Sequence, residues 1–229
     1  MGHTQPGRRQ YILFFASGGG MSVEADGTVF IVDDDDAFRD SLCWLLESAG
    51  HRVVAYAAAE NFLTAYEPDQ AGCLVLDIRM PGMNGLELQD ELKRRELTLP
   101  IVFVTGHGDV PMAVSAVKKG AAEFIEKPFN DRAFLGLIEK ALKLDAAQRR
   151  EQTRKMTVTA RLKKLTSRER EIMRFVVAGK MNKTIADELC ISIKTVEAHR
   201  SRVMQKMGVD SVAALVQLAL EIDPRRSAH

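Results

Sequence analysis

Cysteine is scarce in this chain and shows no pairing pattern. Cys43, Cys73 and Cys190 are odd in number, widely separated and never spaced as CxxC. The pattern excludes a disulfide framework and predicts buried free thiols, as in proteins of a reducing cytoplasm. No apolar run approaches the ~20 residues that a membrane span needs, so we expect no membrane partner. The apolar stretch near the N-terminus is too short for a signal peptide, and we expect residues 1–26 to be a disordered extension.

The chain also lacks an overall excess of charge, with a net charge of +1 over 229 residues. Residues 160–229 nevertheless contain fourteen Lys and Arg against eight Asp and Glu, which leaves a net charge of −5 on residues 1–159. The acidic N-terminal part favours a cation as its partner, and the basic C-terminal part favours a polyanion. Chance surface composition explains the same counts. The length suits two domains.

Short apolar segments alternate with amphipathic segments as far as about residue 148. Strands are predicted at 29–32, 53–56, 73–76, 101–104 and 123–126, and helices at 37–49, 59–66, 85–94, 111–119 and 131 to about 148. Asp36 is the expected N-cap of the first helix. This rhythm predicts an α/β fold with a doubly wound, five-stranded parallel sheet and helices on both faces. Such sheets build their sites at the carboxyl ends of the strands.

Polar residues follow four of these strands directly. Asp33 and Asp34 follow the first, Asp77 the third, Thr105 the fourth and Lys127 the fifth. Three carboxylates brought together repel one another unless one is protonated or a cation lies between them, and Mg²⁺ suits such oxygen ligands. Asp77 can then attack phosphorus and form an aspartyl phosphate, while Lys127 and Thr105 contact phosphoryl oxygens.

This set of residues, together with Lys127-Pro128, resembles the receiver domains of two-component response regulators over roughly Gly27 to Leu144. The runs 105–111 and 126–129 are similar to the FixJ branch of that family. The resemblance implies a flavodoxin-like fold, a sensor histidine kinase as phosphate donor and a cis Lys-Pro bond. It also implies that Asp77 is the phosphorylation site and that Thr105, Lys127 and Phe124 form the phosphoryl-binding and switch set. The implied Mg²⁺ ligands are Asp33, Asp34, Asp77 and the backbone carbonyl of Arg79.

Two alternatives remain open for this half of the chain. Haloacid-dehalogenase phosphatases also use a strand-end aspartate, but they place an acid two residues later, where this chain has Arg79. Without that acid the aspartyl phosphate is expected to turn over slowly, as suits a signal. His107 either orients water near the phosphoryl group or is a solvated loop residue. The second alternative to a phosphorylated receiver is a receiver that is not phosphorylated, in a protein whose DNA binding is controlled by a ligand or a partner.

The C-terminal part of the chain begins with a polar segment, 146–164, which we interpret as a helical linker without a core-forming stripe. Helices are then predicted from about 166 to 178, at 182–189, at 194–207 and at 211–221, with a turn at 190–192. Val196, Val203 and Met207 recur at helical spacing and are expected in the core. The pattern from Leu165 to about Leu220 resembles the LuxR/NarL-type helix-turn-helix module. We therefore predict a receiver at 27–145 and a small all-α DNA-binding domain at 165–224.

The resemblance also implies which residues contact DNA. Phosphate contacts supply affinity, whereas base contacts supply sequence preference. Glu197 either accepts a hydrogen bond from a cytosine amino group or holds a neighbouring arginine. The family implies no enzymatic activity, and it implies a cytoplasmic regulator that forms a homodimer on phosphorylation through 110–119 and 123–126. Its partners would be double-stranded promoter DNA and RNA polymerase. The predicted DNA-binding residues are Lys183, Lys194, Thr195, Glu197, Ala198, His199, Arg200, Ser201 and Arg202.

Overall fold

The computed structural model describes residues 27–106 and 110–222. The predicted extension at 1–26 and His107 lie outside these residues. The strands are β1 (Thr28–Val32), β2 (Arg52–Tyr56), β3 (Gly72–Asp77), β4 (Ile101–Thr105) and β5 (Glu123–Glu126). The helices are α1 (Asp36–Ser48), α2 (Ala59–Ala65), α3 (Gly85–Arg94), α4 (Val110–Lys118), α5 (Asp131–Lys163), α6 (Ser167–Val177), α7 (Asn182–Leu189), α8 (Ile193–Met207) and α9 (Val212–Ile222).

The five strands form one parallel sheet in the order β2-β1-β3-β4-β5. Successive side chains of a strand point to opposite faces, so each central strand contributes to two cores. Phe30, Leu74 and Phe103 pack against α2, α3 and α4 on one face. Ile31 and Val75, among others, pack against α1 and the first half of α5 on the other face. The predicted doubly wound sheet is therefore confirmed.

A separate core holds the C-terminal helices together. Val196, Val203 and Met207 of α8 are all buried there, as their spacing predicts. Val158 from the end of α5 is 4% exposed and belongs to the same core, with Leu162 packed beside it. The expectation that the polar segment has no core-forming stripe is therefore wrong, because two apolar residues four positions apart suffice when α6, α8 and α9 supply the rest of the core.

Helix α5 joins two segments that were predicted separately, the helix from 131 to about 148 and the helical linker at 146–164. It runs without interruption from Asp131 to Lys163. The polar residues after 148 contain no proline or glycine, and the residues at its far end gain a second core to pack against. A smaller difference concerns α1, where Asp35 accepts a hydrogen bond from the Phe38 N–H and is the N-cap in place of Asp36.

The three cysteines are free, but they are not uniformly buried. Cys73 lies inside the sheet, where burial raises the pKa of its thiol to about 12. Cys43 is half-buried, and Cys190 is exposed. The expectation of buried thiols is wrong for Cys190 because this residue ends α7 in the left-handed region, with φ of 52°, at the turn between two helices.

No single helix within 27–106 and 110–222 is long and apolar enough to cross a membrane. The bent pair Ile193–Met207 and Val212–Leu220, which meets at 59°, passes the same test of length and composition only when its two helices are taken together.

Candidate functional site

Strand register brings the predicted site residues to one edge of the sheet. Val32 of β1 lies opposite Leu76 of β3, so the next residues along each strand, Asp33 and Asp77, end neighbouring strands. On the other side Asp77 pairs with Val104. Continuing outward, β4 and β5 end in register, which places Thr105 and Lys127 at the same edge. The predicted convergence of acids, hydroxyl and amine is thus a direct consequence of parallel pairing.

Lys127 connects the two buried carboxylates. Its Nζ atom lies 3.0 Å from Asp33 Oδ2 and 3.5 Å from Asp77 Oδ1. The remaining carboxylate oxygens accept backbone hydrogen bonds, from Asp35 N to Asp33 Oδ1 at 2.9 Å and from Arg79 N to Asp77 Oδ2 at 3.1 Å. Asp77 is 8% exposed, so only a small part of this residue is open to solvent.

The single positive charge of Lys127 does not balance the two negative charges of Asp33 and Asp77 at this edge of the sheet. Burial raises the pKa of Asp77 to about 6, the charge of Lys127 opposes that rise, and the neighbouring Asp33 adds to it. Two buried carboxylates that share one ammonium are suited to a hard, oxygen-preferring cation such as Mg²⁺, which would supply the missing positive charge. The donor set therefore fits the predicted metal.

The structure does not by itself assemble the full predicted metal set. Asp33 and Asp77 converge, but the side chain of Asp34 is exposed. Arg79 is exposed and contributes a backbone N–H to Asp77. Among the described residues, no group of three or more His, Cys, Asp or Glu side chains is arranged to hold a metal ion. The four-residue Mg²⁺ set stays a prediction.

The predicted switch residues occupy contrasting environments. Thr105 is fully buried, and its Oγ1 donates a hydrogen bond to the Gly106 carbonyl at 2.9 Å. Phe124 on β5 is half-buried and packs against the core formed with α2, α3 and α4. The bond between Lys127 and Pro128 is cis, as the resemblance implied. The Lys127 N–H donates to the Thr105 carbonyl at 2.8 Å, which ties the two strand ends together.

Three residues that the sequence pattern did not single out also shape this site. The ring centroid of Phe38 lies 3.7 Å from Lys127 Nζ, a cation–π contact that holds the ammonium from the α1 side. Arg39 Nη1 donates to the Asp33 carbonyl at 2.7 Å. A Cβ on Gly85 would lie 2.2 Å from the Asp77 carbonyl oxygen, so only glycine allows α3 to start so close to β3. Of these three residues, Gly85 could have been recognised from the sequence, because a glycine at the first position of a helix is unusual.

The loop after Asp77 lines an open cleft beside the site. Residues of this loop and Met112 of α4 form its walls. Asn84 caps α3 by accepting from the N–H groups of Leu86 and Glu87, and the Glu87 carboxylate accepts in turn from the Asn84 N–H. This capping box fixes the far end of the loop, so access to Asp77 is shaped by a well-anchored segment.

The second candidate surface is helix α8 with the start of α7. Ser192 caps α8 by accepting the Thr195 N–H, and the two hydroxyl groups lie 2.8 Å apart. Arg200 Nη1 donates to Asn182 Oδ1 at 2.7 Å, which fastens α8 to the first residue of α7. These contacts fix the crossing of the two helices, as a helix-turn-helix unit requires.

The predicted DNA-binding residues share the outer face of this unit, with two exceptions. His199 is half-buried, and its Nδ1 atom is buried without a hydrogen-bond partner within the described ranges. Arg200 is half-buried by its contact with Asn182. The exposed members are Lys183, Lys194, Thr195, Glu197, Ala198, Ser201 and Arg202.

Comparison with known families matches two separate stretches of the chain. Residues 29–139 match the response regulator receiver domain, and residues 163–219 match the bacterial regulatory proteins of the luxR family. The transcriptional regulatory protein FixJ of Azorhizobium caulinodans is 46% identical over 84% of this chain and 91% of its own length. The response regulator protein TodT of Pseudomonas putida is 42% identical over 83% of this chain and 84% of its own length.

Two solved structures each align with most of this chain. The response regulator StyR is 47% identical, with a TM-score of 0.78 over 84% of this chain and 98% of its own. Full-length FixJ from B. japonicum is 42% identical, with a TM-score of 0.55 over 86% of this chain and 97% of its own.

Proposed function

Since the chain belongs to the NarL/FixJ family of two-component response regulators, we propose that phosphorylation of Asp77 controls its binding to promoter DNA. Membership makes the chain a DNA-binding transcription regulator and not an enzyme, which sets the phosphatase alternative aside. One observation carries the proposal. The buried carboxylate of Asp77 ends a central strand with its Oδ1 atom 3.5 Å from the Lys127 ammonium.

The phosphate donor is a sensor histidine kinase. A carboxylate oxygen of Asp77 attacks phosphorus, a P–O bond forms, and the bond between phosphorus and the kinase histidine breaks. Lys127 neutralises a phosphoryl oxygen in this step. Asp33, Asp34, Asp77 and the Arg79 carbonyl would hold Mg²⁺, which supplies further neutralisation of phosphoryl charge when bound.

Phosphorylation is read through Thr105 and Phe124. The Thr105 hydroxyl, which donates to the Gly106 carbonyl in the structure, would turn to donate to a phosphoryl oxygen instead. Phe124 packs against the core beside α4, and its ring would move into the space that the Thr105 side chain vacates. The two arrangements form an equilibrium that the aspartyl phosphate biases.

The receiver dimerises through α4 and β5. Val114 and Val117, three residues apart on α4, are 40% and 38% exposed, which leaves adjacent aliphatic side chains in water. Pairing of two such faces would bury them and bring two DNA-binding domains to a two-fold site. We expect Val114→Lys to abolish phosphate-dependent dimerisation in light scattering. Val54→Lys is the matched control, since Val54 is 39% exposed on β2 at the opposite edge of the sheet.

The outer face of α8 is proposed to enter the major groove. Glu197, Ala198 and Ser201 read bases, while Lys183, Lys194, Thr195, His199, Arg200 and Arg202 contact phosphates. The DNA-bound dimer then acts on RNA polymerase in the cytoplasm.

Genome-wide DNA footprinting tests this function. Wild-type protein is expected to protect a defined set of promoters when its signal is present, and Asp77→Asn should lose most of that protection. The matched control is Asp40→Asn, which removes an exposed carboxylate of α1 instead. Equal footprints for wild type and Asp77→Asn would reject control by phosphorylation and favour the silent-receiver alternative.

A further inference from the structure

Helix α5 belongs to both domains. At ~1.5 Å per residue its 33 residues span about 50 Å. Phe134 and Ile138 near its start are fully buried in the receiver core. Val158 and Leu162 near its end pack in the C-terminal core. A continuous helix embedded at both ends transmits a change in position along its length, because no flexible segment intervenes.

A buried ion pair fastens the middle of α5 to the receiver. Asp145 is 2% exposed and accepts hydrogen bonds from the Gly72 N–H at 2.9 Å and from Arg149 Nε at 2.8 Å. The Arg149 guanidinium also donates to the carbonyls of Asp69 and Gln70. Gly72 begins β3, the strand that ends in Asp77. The helix is therefore attached to the strand that carries the phosphorylation site.

A second arginine fastens the far end of α5 to α8. Arg161 Nη1 donates to the carbonyl of Met207, the last residue of α8, at 2.8 Å. Gly208 ends α8 in the left-handed region, and a Cβ at this position would lie 2.9 Å from Arg161 Nη1. The last carbonyls of a helix lack partners within the helix and carry partial negative charge. A guanidinium placed there is stabilised both by the hydrogen bond and by the attraction between opposite charges.

We propose that Arg161 is a positioning residue for DNA recognition, through which α5 fixes the axis of α8 against the DNA. Arg161 touches α8 at the end opposite to Ser192 and Thr195, so a small change at Met207 tilts the face that carries the DNA-binding residues. The inference rests on DNA binding by α8 in the proposed function, and it adds a residue that lies outside the DNA-binding set.

The test measures affinity for DNA in full-length variants. The probe is a fluorescein-labelled 30-bp duplex that the wild-type protein selects from a random-sequence library in vitro. We expect Arg161→Ala to weaken binding about tenfold, the effect of losing one charge-assisted hydrogen bond. Arg161→Lys keeps the charge and one donor, so it should recover most of the affinity, to within about threefold of wild type.

The salt dependence separates positioning from direct contact. A residue that contacts a phosphate contributes about 0.9 to the slope of log K against log salt concentration. We expect Arg161→Ala to leave this slope unchanged, because Arg161 acts through the Met207 carbonyl. A slope reduced by about 0.9 would mean that Arg161 contacts DNA itself and would overturn the inference.

Two control variants separate the positioning role from effects of charge and of core stability. Lys163→Ala removes one exposed positive charge from the same end of α5, and Val158→Ala removes buried side-chain volume from the same core. Both should bind the duplex as wild type does under conditions where circular dichroism shows them folded. A loss equal to that of Arg161→Ala in either control would assign the effect to charge or to core stability and overturn the inference.

The two proposals fail in different ways. If the wild-type protein selects no duplex, DNA binding by α8 fails, and the role of Arg161 fails with it. If the wild-type protein selects a duplex that Arg161→Ala binds equally well, only the positioning role is overturned.

Discussion

Removing Arg149 leaves a buried carboxylate without its main partner. Asp145 is 2% exposed, and in Arg149→Ala it would keep the hydrogen bond from the Gly72 N–H but lose its paired guanidinium. Breaking one side of a buried pair costs about 3–5 kcal/mol. Because the Arg149 side chain is itself 29% exposed, we expect the lower end of that range, about 3 kcal/mol.

Thermal unfolding followed by far-ultraviolet circular dichroism measures this loss. For a chain of this size 1 kcal/mol corresponds to about 2–4 °C, so the midpoint of Arg149→Ala should fall by about 6–12 °C. Tryptophan fluorescence is unsuitable because the single tryptophan, Trp44, is 74% exposed. The control is Lys143→Ala, which removes the exposed partner of Glu139 on the same helix and should shift the midpoint by less than about 2 °C.

A double variant identifies the cause of the loss. Asp145→Asn combined with Arg149→Met removes the buried charge, while the amide oxygen can still accept from the Gly72 N–H. We expect the double variant to be more stable than Arg149→Ala by at least about 1 kcal/mol. If Arg149→Ala unfolds within about 1 °C of wild type, or if the double variant is no more stable than the single one, the ion pair does not fasten α5 as described.

Three further outcomes follow from the same structure. The pKa of Asp77 in the folded protein is raised from 3.8 to about 6, so the charged carboxylate destabilises the fold. Asp77→Asn should therefore become more stable than wild type as pH rises from 4 to above 6, and this difference should disappear as pH falls. Denaturant titrations in EDTA measure the difference. Gly85→Ala should lower the free energy of unfolding by about 1–3 kcal/mol, because the new Cβ overpacks against β3, and the unfolding midpoint should fall with it; Gly136→Ala, with open space around the new Cβ, should raise both. Lys183→Ala and Lys194→Ala should each reduce the salt slope of DNA binding by about 0.9 in fluorescence anisotropy.

The fold was predictable because its local signals agree with one another. Five short strands that alternate with amphipathic helices, four of them followed directly by a polar residue, strongly favour a parallel sheet with helices on both faces. The bounds of α3, β5 and α7 match their predicted ranges. Asp33, Asp77, Thr105 and Lys127 could be placed together for the same reason, since parallel strands end at one edge.

The remaining features depend on contacts distant in sequence. Nothing near Val158 in the sequence shows that a second core will bury it, so the pattern at 146–164 indicates a helical linker without a core-forming stripe. Phe38 has the spacing of an ordinary core residue of α1, and its contact with Lys127 depends on where β5 ends. Asp145 and Arg149 resemble a surface i, i+4 pair until the start of β3 is placed beside them.

The central claim is that a phosphate on Asp77 controls DNA binding. The most direct test is fluorescence anisotropy with the selected duplex, in the presence and absence of acetyl phosphate and Mg²⁺, for wild type and Asp77→Asn. Acetyl phosphate should tighten binding by wild type about tenfold or more, within the 5–150-fold range typical of allosteric coupling, and leave Asp77→Asn unchanged. Equal affinities for wild type with and without acetyl phosphate, despite a mass increase of one phosphoryl group, would contradict the claim.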